Sequence, residues 1–83
     1  MRITVKLFAL LDRYLPPGAR ENQADLEVAD DATPASVMAQ LGLPRGNCHL
    51  VLINGVFTQP GEIDRTRLQP GDALAIWPPV AGG

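Results

Sequence analysis

The hydrophobic positions of this chain switch between period two and helical spacing, and each switch marks an element. RITVKLF (2–8) alternates strictly: Ile3, Val5 and Leu7 fall on one face, Arg2, Thr4, Lys6 and Phe8 on the other. That pattern predicts a strand with one buried side. ALLDRYLPPGAR (9–20) has room for a short helical turn before Pro16, Pro17 and Gly18 break it. NQADLEVA (22–29) alternates again, with Ala24, Leu26 and Val28 inward and Asp25 and Glu27 outward. The two alternating segments predict a hairpin closed by a long loop.

A helix follows, with both ends written in the sequence. Thr33 suits the N-cap, where its hydroxyl can accept a bond from an orphan backbone N–H, and Pro34 suits the first helical position. Val37, Met38 and Leu41 keep helical spacing, Gly42 can take the left-handed stop, and Pro44 forbids continuation. HLVLI (49–53) then reads as a strand, Asn54-Gly55 as a type I′ turn into Val56-Phe57, and QPGD (69–72) as a turn into the last strand, ALAIW (73–77). The order β-β-α-β-β-β, with one main helix on a small mixed sheet, predicts an α+β roll of the β-grasp type, in which the first and last strands lie parallel at the sheet centre. A ferredoxin-like sandwich would need a second long helix, and an all-β barrel none. The folded body is expected over 1–77, with 78–83 as an extended tail.

Composition narrows the function classes. Eighty-three residues support one domain with a modest core, and 46% hydrophobic with 19% charged residues is a globular balance. A net charge of −2 with scattered cations excludes a phosphate-backbone binder, so no nucleic acid is expected. Without a signal pattern or a long apolar run, no membrane association and a cytoplasmic location are expected. One Cys excludes an internal disulfide, and one His leaves no zinc quartet, so no metal site is expected.

Side-chain chemistry is sparse. Cys48 and His49 are adjacent, but neighbours on an extended chain point to opposite faces, so a small buried or half-buried Cys and a strand-end His are expected. Asp30 and Asp31 precede the helix, where negative charge is favourable. Glu62 and Asp64 lie near Arg65 and Arg67 and read as a solvated charge group. No phosphate loop, dinucleotide fingerprint or zinc-protease motif is present, and no constellation resembles an active site.

The unexplained residues are aromatic. Phe8 belongs to the polar face of its strand. On the last strand Leu74 and Ile76 share a face, leaving Ala73, Ala75 and Trp77 on the other. If the helix covers Leu74 and Ile76, then Phe8 and Trp77 share the uncovered side, and Phe57 follows a tight turn at the sheet edge. Aromatics on an uncovered face near a chain end point to partner docking.

An alternating first strand ending KLFA, a single helix, LVLINGV and the ending LQPGDALAIWPPVAGG together resemble the MoaD/ThiS family of ubiquitin-like sulfur carriers. The likeness spans the chain and is strongest in its last third. The Pro-Pro tail and the length are most similar to the small subunit of molybdopterin synthase. The resemblance implies that an E1-like activating enzyme, using ATP and magnesium, adenylates the C-terminal carboxylate of Gly83, which a sulfur donor then converts to a thiocarboxylate. It implies no stably bound cofactor and a tail that delivers sulfur to a cyclic pyranopterin inside a larger subunit. That large subunit would supply catalysis in a heterotetramer. Carried onto this chain, the family's partner-facing positions match Phe8, Phe57 and Trp77, with Pro78, Pro79, Val80, Ala81 and Gly82 as the inserting tail. Asp12-Arg13 departs from a family tendency to place a basic residue before an acidic one after the first strand.

The tail's composition fits such a role. Gly82 and Gly83 lack Cβ atoms and can pass a narrow channel, while Pro78 and Pro79 hold the chain extended and reduce the entropy lost on threading. Other readings stay open: a carrier for thiazole or tungsten-cofactor synthesis, or a ubiquitin-like modifier joined through Gly83 to lysines. Lys6 is the chain's only lysine, so modifier chains could grow only there or on the N-terminus.

Overall fold

A computed structural model of the chain describes residues 1–79; the remaining tail residues, Val80 to Gly83, lie outside the described part. The strands are β1 (Arg2–Leu7), β2 (Gln23–Glu27), β3 (Leu50–Ile53), β4 (Val56–Phe57) and β5 (Ala73–Trp77), and the helix is α1 (Pro34–Leu41). They form one mixed sheet in the order β2-β1-β5-β3-β4, with β1 and β5 parallel and the remaining neighbours antiparallel. First and last strands lie side by side near the centre, as the element order predicted, and the architecture is a ubiquitin-like β-grasp. Short 3₁₀ turns at Ala9–Tyr14, Arg45–Asn47 and Pro60–Glu62 fill the connections.

The helix begins and ends where its sequence says. Ser36 N–H donates to Thr33 Oγ1 at 3.2 Å, and Thr33 N–H donates to Ser36 Oγ at 2.9 Å, a reciprocal capping box with Ser in the third position. Gly42 stops the helix with φ 73°, a left-handed conformation that costs glycine nothing. No acid lies in the first turn. Asp30, expected to complement the helix, instead places Oδ1 3.2 Å from the Met1 amino nitrogen, while the free N–H groups of the helix start bond Thr33 Oγ1 and Ile63 O.

Ile3, Val5 and Leu7 of β1, Val51 of β3, and Leu74 and Ile76 of β5 point toward Val37 and Met38 of α1, and all are buried. Leu11, Leu43, Ile63 and Leu68 close this core from the connecting segments. The long connection from β4 to β5 is tied to the helix start through Ala35 N–H to Ile63 O (2.9 Å) and Leu68 N–H to Ala32 O (2.8 Å).

One polar clasp fixes where β5 begins. Gln69-Pro70-Gly71-Asp72 turns back on itself, with Asp72 N–H donating to Gln69 O at 3.0 Å and Gly71 at φ 83°, which a side chain would strain. Asp72 Oδ2 accepts from Gln69 N–H at 2.8 Å, while its Oδ1 accepts from Asn54 Nδ2 at 2.9 Å. Asn54 Oδ1 in turn accepts from Ala73 N–H at 2.9 Å. Asn54 and Gly55, at φ 51° and 81°, form the tight turn between β3 and β4. A single Asn side chain thus joins the β3–β4 turn to the first residue of β5.

Asp64 finds a partner that local reading missed. Arg45, not Arg65 or Arg67, pairs with it through two hydrogen bonds of 2.7 and 3.1 Å. These bonds hold the Asp64 carboxyl below its ordinary range. The pair therefore contributes above the unfolded carboxyl pKa, and its contribution is lost as pH falls through the lowered one. Both side chains are exposed, so it serves mainly to tether two loops.

Ile76→Ala should destabilise the domain by about 2–5 kcal/mol, because a fully buried side chain on a central strand leaves a cavity that α1 cannot close. Thr33→Ala should cost about 1 kcal/mol through loss of the cap. Urea unfolding midpoints measure both, and a smaller loss for Ile76→Ala than for Thr33→Ala would contradict the assigned faces.

Candidate functional site

The face of the sheet away from α1 has no element over it among the described residues. Its side chains follow from strand parity and register. One row runs Gln23, Lys6, Ala75, Leu52, Phe57 across all five strands, each residue paired with the next. Beside it, Leu50 pairs with Trp77, and Phe8 follows Leu7, the partner of Ile76. Phe8, Leu50, Leu52, Phe57, Ala75 and Trp77 therefore form one apolar field over β5, β3 and β4, extending to the end of β1. The β1–β2 half is polar: Arg2 Nε lies 3.3 Å from Glu27 Oε1, and Thr4 Oγ1 donates to Asp25 at 3.3 Å.

Phe8 and Trp77 are stacked, with ring centroids 4.1 Å apart and planes within 3°. Local backbone geometry makes the stack possible. Phe8 lies just beyond β1 but stays extended, and its N–H donates to Ile76 O at 3.2 Å, so strand pairing continues one residue further. Ala9 then takes φ 54° and turns the chain off the sheet. Such a stack contributes about 1 kcal/mol beyond area burial. It also fixes the Trp77 ring before any partner arrives. Phe57 is 48% exposed, at the outer edge of the same face.

Trp77 is the last residue of β5, and its carbonyl accepts from His49 N–H at 2.8 Å. Pro78 is half-buried and Pro79 exposed. The tail positions Val80, Ala81, Gly82 and Gly83 lie outside the described residues, so the proposed reactive terminus has no geometry here. Among the expected docking residues, Phe8, Phe57 and Trp77 share one face, and Pro78 and Pro79 leave from its end. Leu50 and Leu52 were not anticipated. LVLI (50–53) is apolar throughout, so no alternation separates inward from outward positions, and only the pairing of Leu50 with Trp77 and Leu52 with Ala75 assigns them.

Among the described residues, no group of three or more His, Cys, Asp and Glu side chains could hold a metal ion. No helix among them is long and apolar enough to cross a membrane. An open groove of about 380 Å³ beside β4, lined by Ile53, Val56, Phe57, Thr58, Glu62 and Thr66 among others, is mainly apolar. Cys48 is half-buried, with Sγ 3.6 Å from Pro44 O, and burial pushes its thiol pKa up. His49 is exposed at the strand end.

Cys48 should accordingly alkylate more slowly with iodoacetamide at neutral pH than a free cysteine, because its thiolate fraction is smaller. The rate should rise as pH climbs past the ordinary thiol range. A rate at neutral pH faster than that of free cysteine would show an activated thiol instead. Trp77→Ala should keep a cooperative unfolding transition and lose at least about 1 kcal/mol, the stack together with the burial of the indole.

The sequence model of the ThiS family matches residues 5–83. The fold is similar to the solution structure of the HVO 2177 protein of Haloferax volcanii, at 29% identity and a TM-score of 0.71, over 100% of this chain and 87% of that one. SAMP1 from Haloferax volcanii superposes with a TM-score of 0.67 at 27% identity, over 100% of both chains. A chain from the complex of subunits 1 and 2 of the molybdopterin-converting factor of Helicobacter pylori shares the fold at 21% identity and a TM-score of 0.61, over 100% of both chains. No curated protein sequence matches the chain.

Proposed function

Because this chain belongs to the ThiS family of ubiquitin-like sulfur carriers, we propose that it works through its terminus, with Gly83 as the sulfur-bearing residue and the sheet face as its dock. A carboxylate is a poor electrophile. Attack of the Gly83 carboxylate on the α-phosphorus of ATP, with magnesium in an E1-like activating enzyme, releases pyrophosphate and leaves an acyl-adenylate. A persulfide sulfur of the donor then attacks the acyl carbon and expels AMP. A second thiol attacks the donor's own sulfur, forming a disulfide with the donor and releasing a thiocarboxylate, ionised and nucleophilic at neutral pH. Nothing in this sequence of steps calls on a side chain of the carrier.

The observation that carries this reading is the Phe8–Trp77 stack on the uncovered face, at the strand end that feeds the Pro-Pro tail. A partner gripping that face receives the tail beside its contact surface, and Pro78 and Pro79 reduce the entropy lost when the tail enters a channel. For the acceptor we propose a cyclic pyranopterin held by a large subunit. The Pro-Pro-Val-Ala-Gly-Gly ending supports this, as does the likeness to a chain from the two-subunit molybdopterin-converting factor. That large subunit would supply the catalytic groups, with the carrier contributing thiocarboxylate and docking face.

Incubated with ATP, magnesium, the activating enzyme and a sulfur donor, the intact chain should gain the mass of an oxygen-to-sulfur exchange. Deleting Gly83, or adding a residue after it, should abolish the gain, while Cys48→Ser should leave it intact. Loss of the gain in a well-folded Cys48→Ser protein would overturn the terminal mechanism. Trp77→Ala should weaken binding to the activating enzyme by about 2 kcal/mol or more, as central interface aromatics do. For the acceptor, the thiocarboxylated chain and large subunit should convert the cyclic pyranopterin to its dithiolene product. Gly82→Val should block that conversion while docking persists. Sulfur delivery to a thiazole synthase in its place would reassign the acceptor, and attachment to protein lysines without sulfur delivery would make the chain a modifier.

A further inference from the structure

The docking face carries one cation that its own sheet leaves unpaired. Arg2 is matched by Glu27, and Asp25 is engaged by Thr4, on the β1–β2 half of the face. Lys6 is different: its register partners are the neutral Gln23 on one side and Ala75 on the other, and it makes no ion pair among the described residues. It is half-buried on a central strand, two residues before Phe8. Two residues of strand span about 7 Å, and one strand step about 5 Å. Lys6 therefore sits within reach of both Phe8 and the row that ends in Phe57. A standard interface covers about 800 Å² per partner, a disc of radius roughly 16 Å. Centred on Trp77 or Leu52, such a disc covers Lys6. Covering an ammonium without an opposite charge is costly.

We infer that Lys6 is the charge-reading residue of this face, and that the activating enzyme docking there presents a carboxylate over Lys6 beside an apolar knob packed on Phe8 and Trp77. This rests on the sulfur-carrier reading above. Shape alone would let many apolar surfaces adhere to the aromatic field; the charge contact selects a partner and its rotation on the sheet. The Lys6 stem can lie over Ala75, whose small side chain leaves room, so the ammonium meets its partner at the border of the apolar field.

The test is the carrier dependence of adenylation, read as pyrophosphate release by the activating enzyme with Lys6→Arg, Lys6→Met and Lys6→Glu chains. Urea unfolding should show all three folded, since the side chain lies outside the core. Lys6→Arg should behave as the unaltered chain, Lys6→Met should raise KM about threefold, and Lys6→Glu about tenfold or more, each with kcat unchanged. The gap between Lys6→Glu and Lys6→Met should close at high salt, where charge repulsion is screened. The Trp77→Ala defect should persist there. Normal adenylation of the unaltered chain, with Lys6→Glu equal to Lys6→Met at low salt, would overturn this inference alone. Absence of adenylation of the unaltered chain would overturn the sulfur-carrier reading and this inference with it.

Discussion

The placement of β5 is the constraint on which the other features depend. It pairs in parallel with β1 and antiparallel with β3, so one five-residue strand joins the two halves of the sheet. Its inward side chains, Leu74 and Ile76, are fully buried against the helix side. Its outward side chains complete the apolar field, and its end delivers the tail. A one-residue slip would exchange Ile76 for Trp77 against the helix and put core residues on the surface. The clasp of Asn54, Gln69 and Asp72 opposes that slip, because the Asn54 side chain bonds both Ala73, the first residue of β5, and Asp72 in the turn before it.

Core and proposed docking face are thus two sides of one sheet, with different demands on packing. The helix side is closed by buried aliphatic residues from every connecting segment but the β3–β4 turn. The other side keeps half-buried aromatics, braced against each other so that little ordering remains for a partner to impose. Such a division suits a protein whose reactive group is its own main chain. The body needs to be rigid and recognisable, while the chemistry needs a slender segment without side chains.

Much of this was legible from residue order, and the exceptions share a cause. Thr33, Pro34 and Gly42 set the helix ends through local hydrogen bonding and backbone freedom, and Asn54-Gly55 and Pro70-Gly71 set their turns likewise. Period-two alternation placed Phe8 and Trp77 on the uncovered face. What stayed hidden depends on contacts between distant segments. Leu50 and Leu52 belong to an unbroken apolar run and acquire a face only through pairing with β5. Asp64 chose Arg45 across 19 positions over two arginines close by in sequence, and Asp30 chose the Met1 amino group over the helix start. The proposed reactive terminus, Gly83, was legible only as composition.

The parallel alignment of β1 with β5 has a mechanical consequence. In the proposed role, withdrawing the tail from a tight channel would pull on the end of β5 along its own axis while the sheet face is held. Hydrogen bonds to β1 and β3 then bear that load side by side, in shear. Strands pulled in shear must break their bonds together, whereas a peeled hairpin yields one bond at a time. A carrier acting as proposed could then be threaded into and hauled out of successive partners without its last strand unravelling.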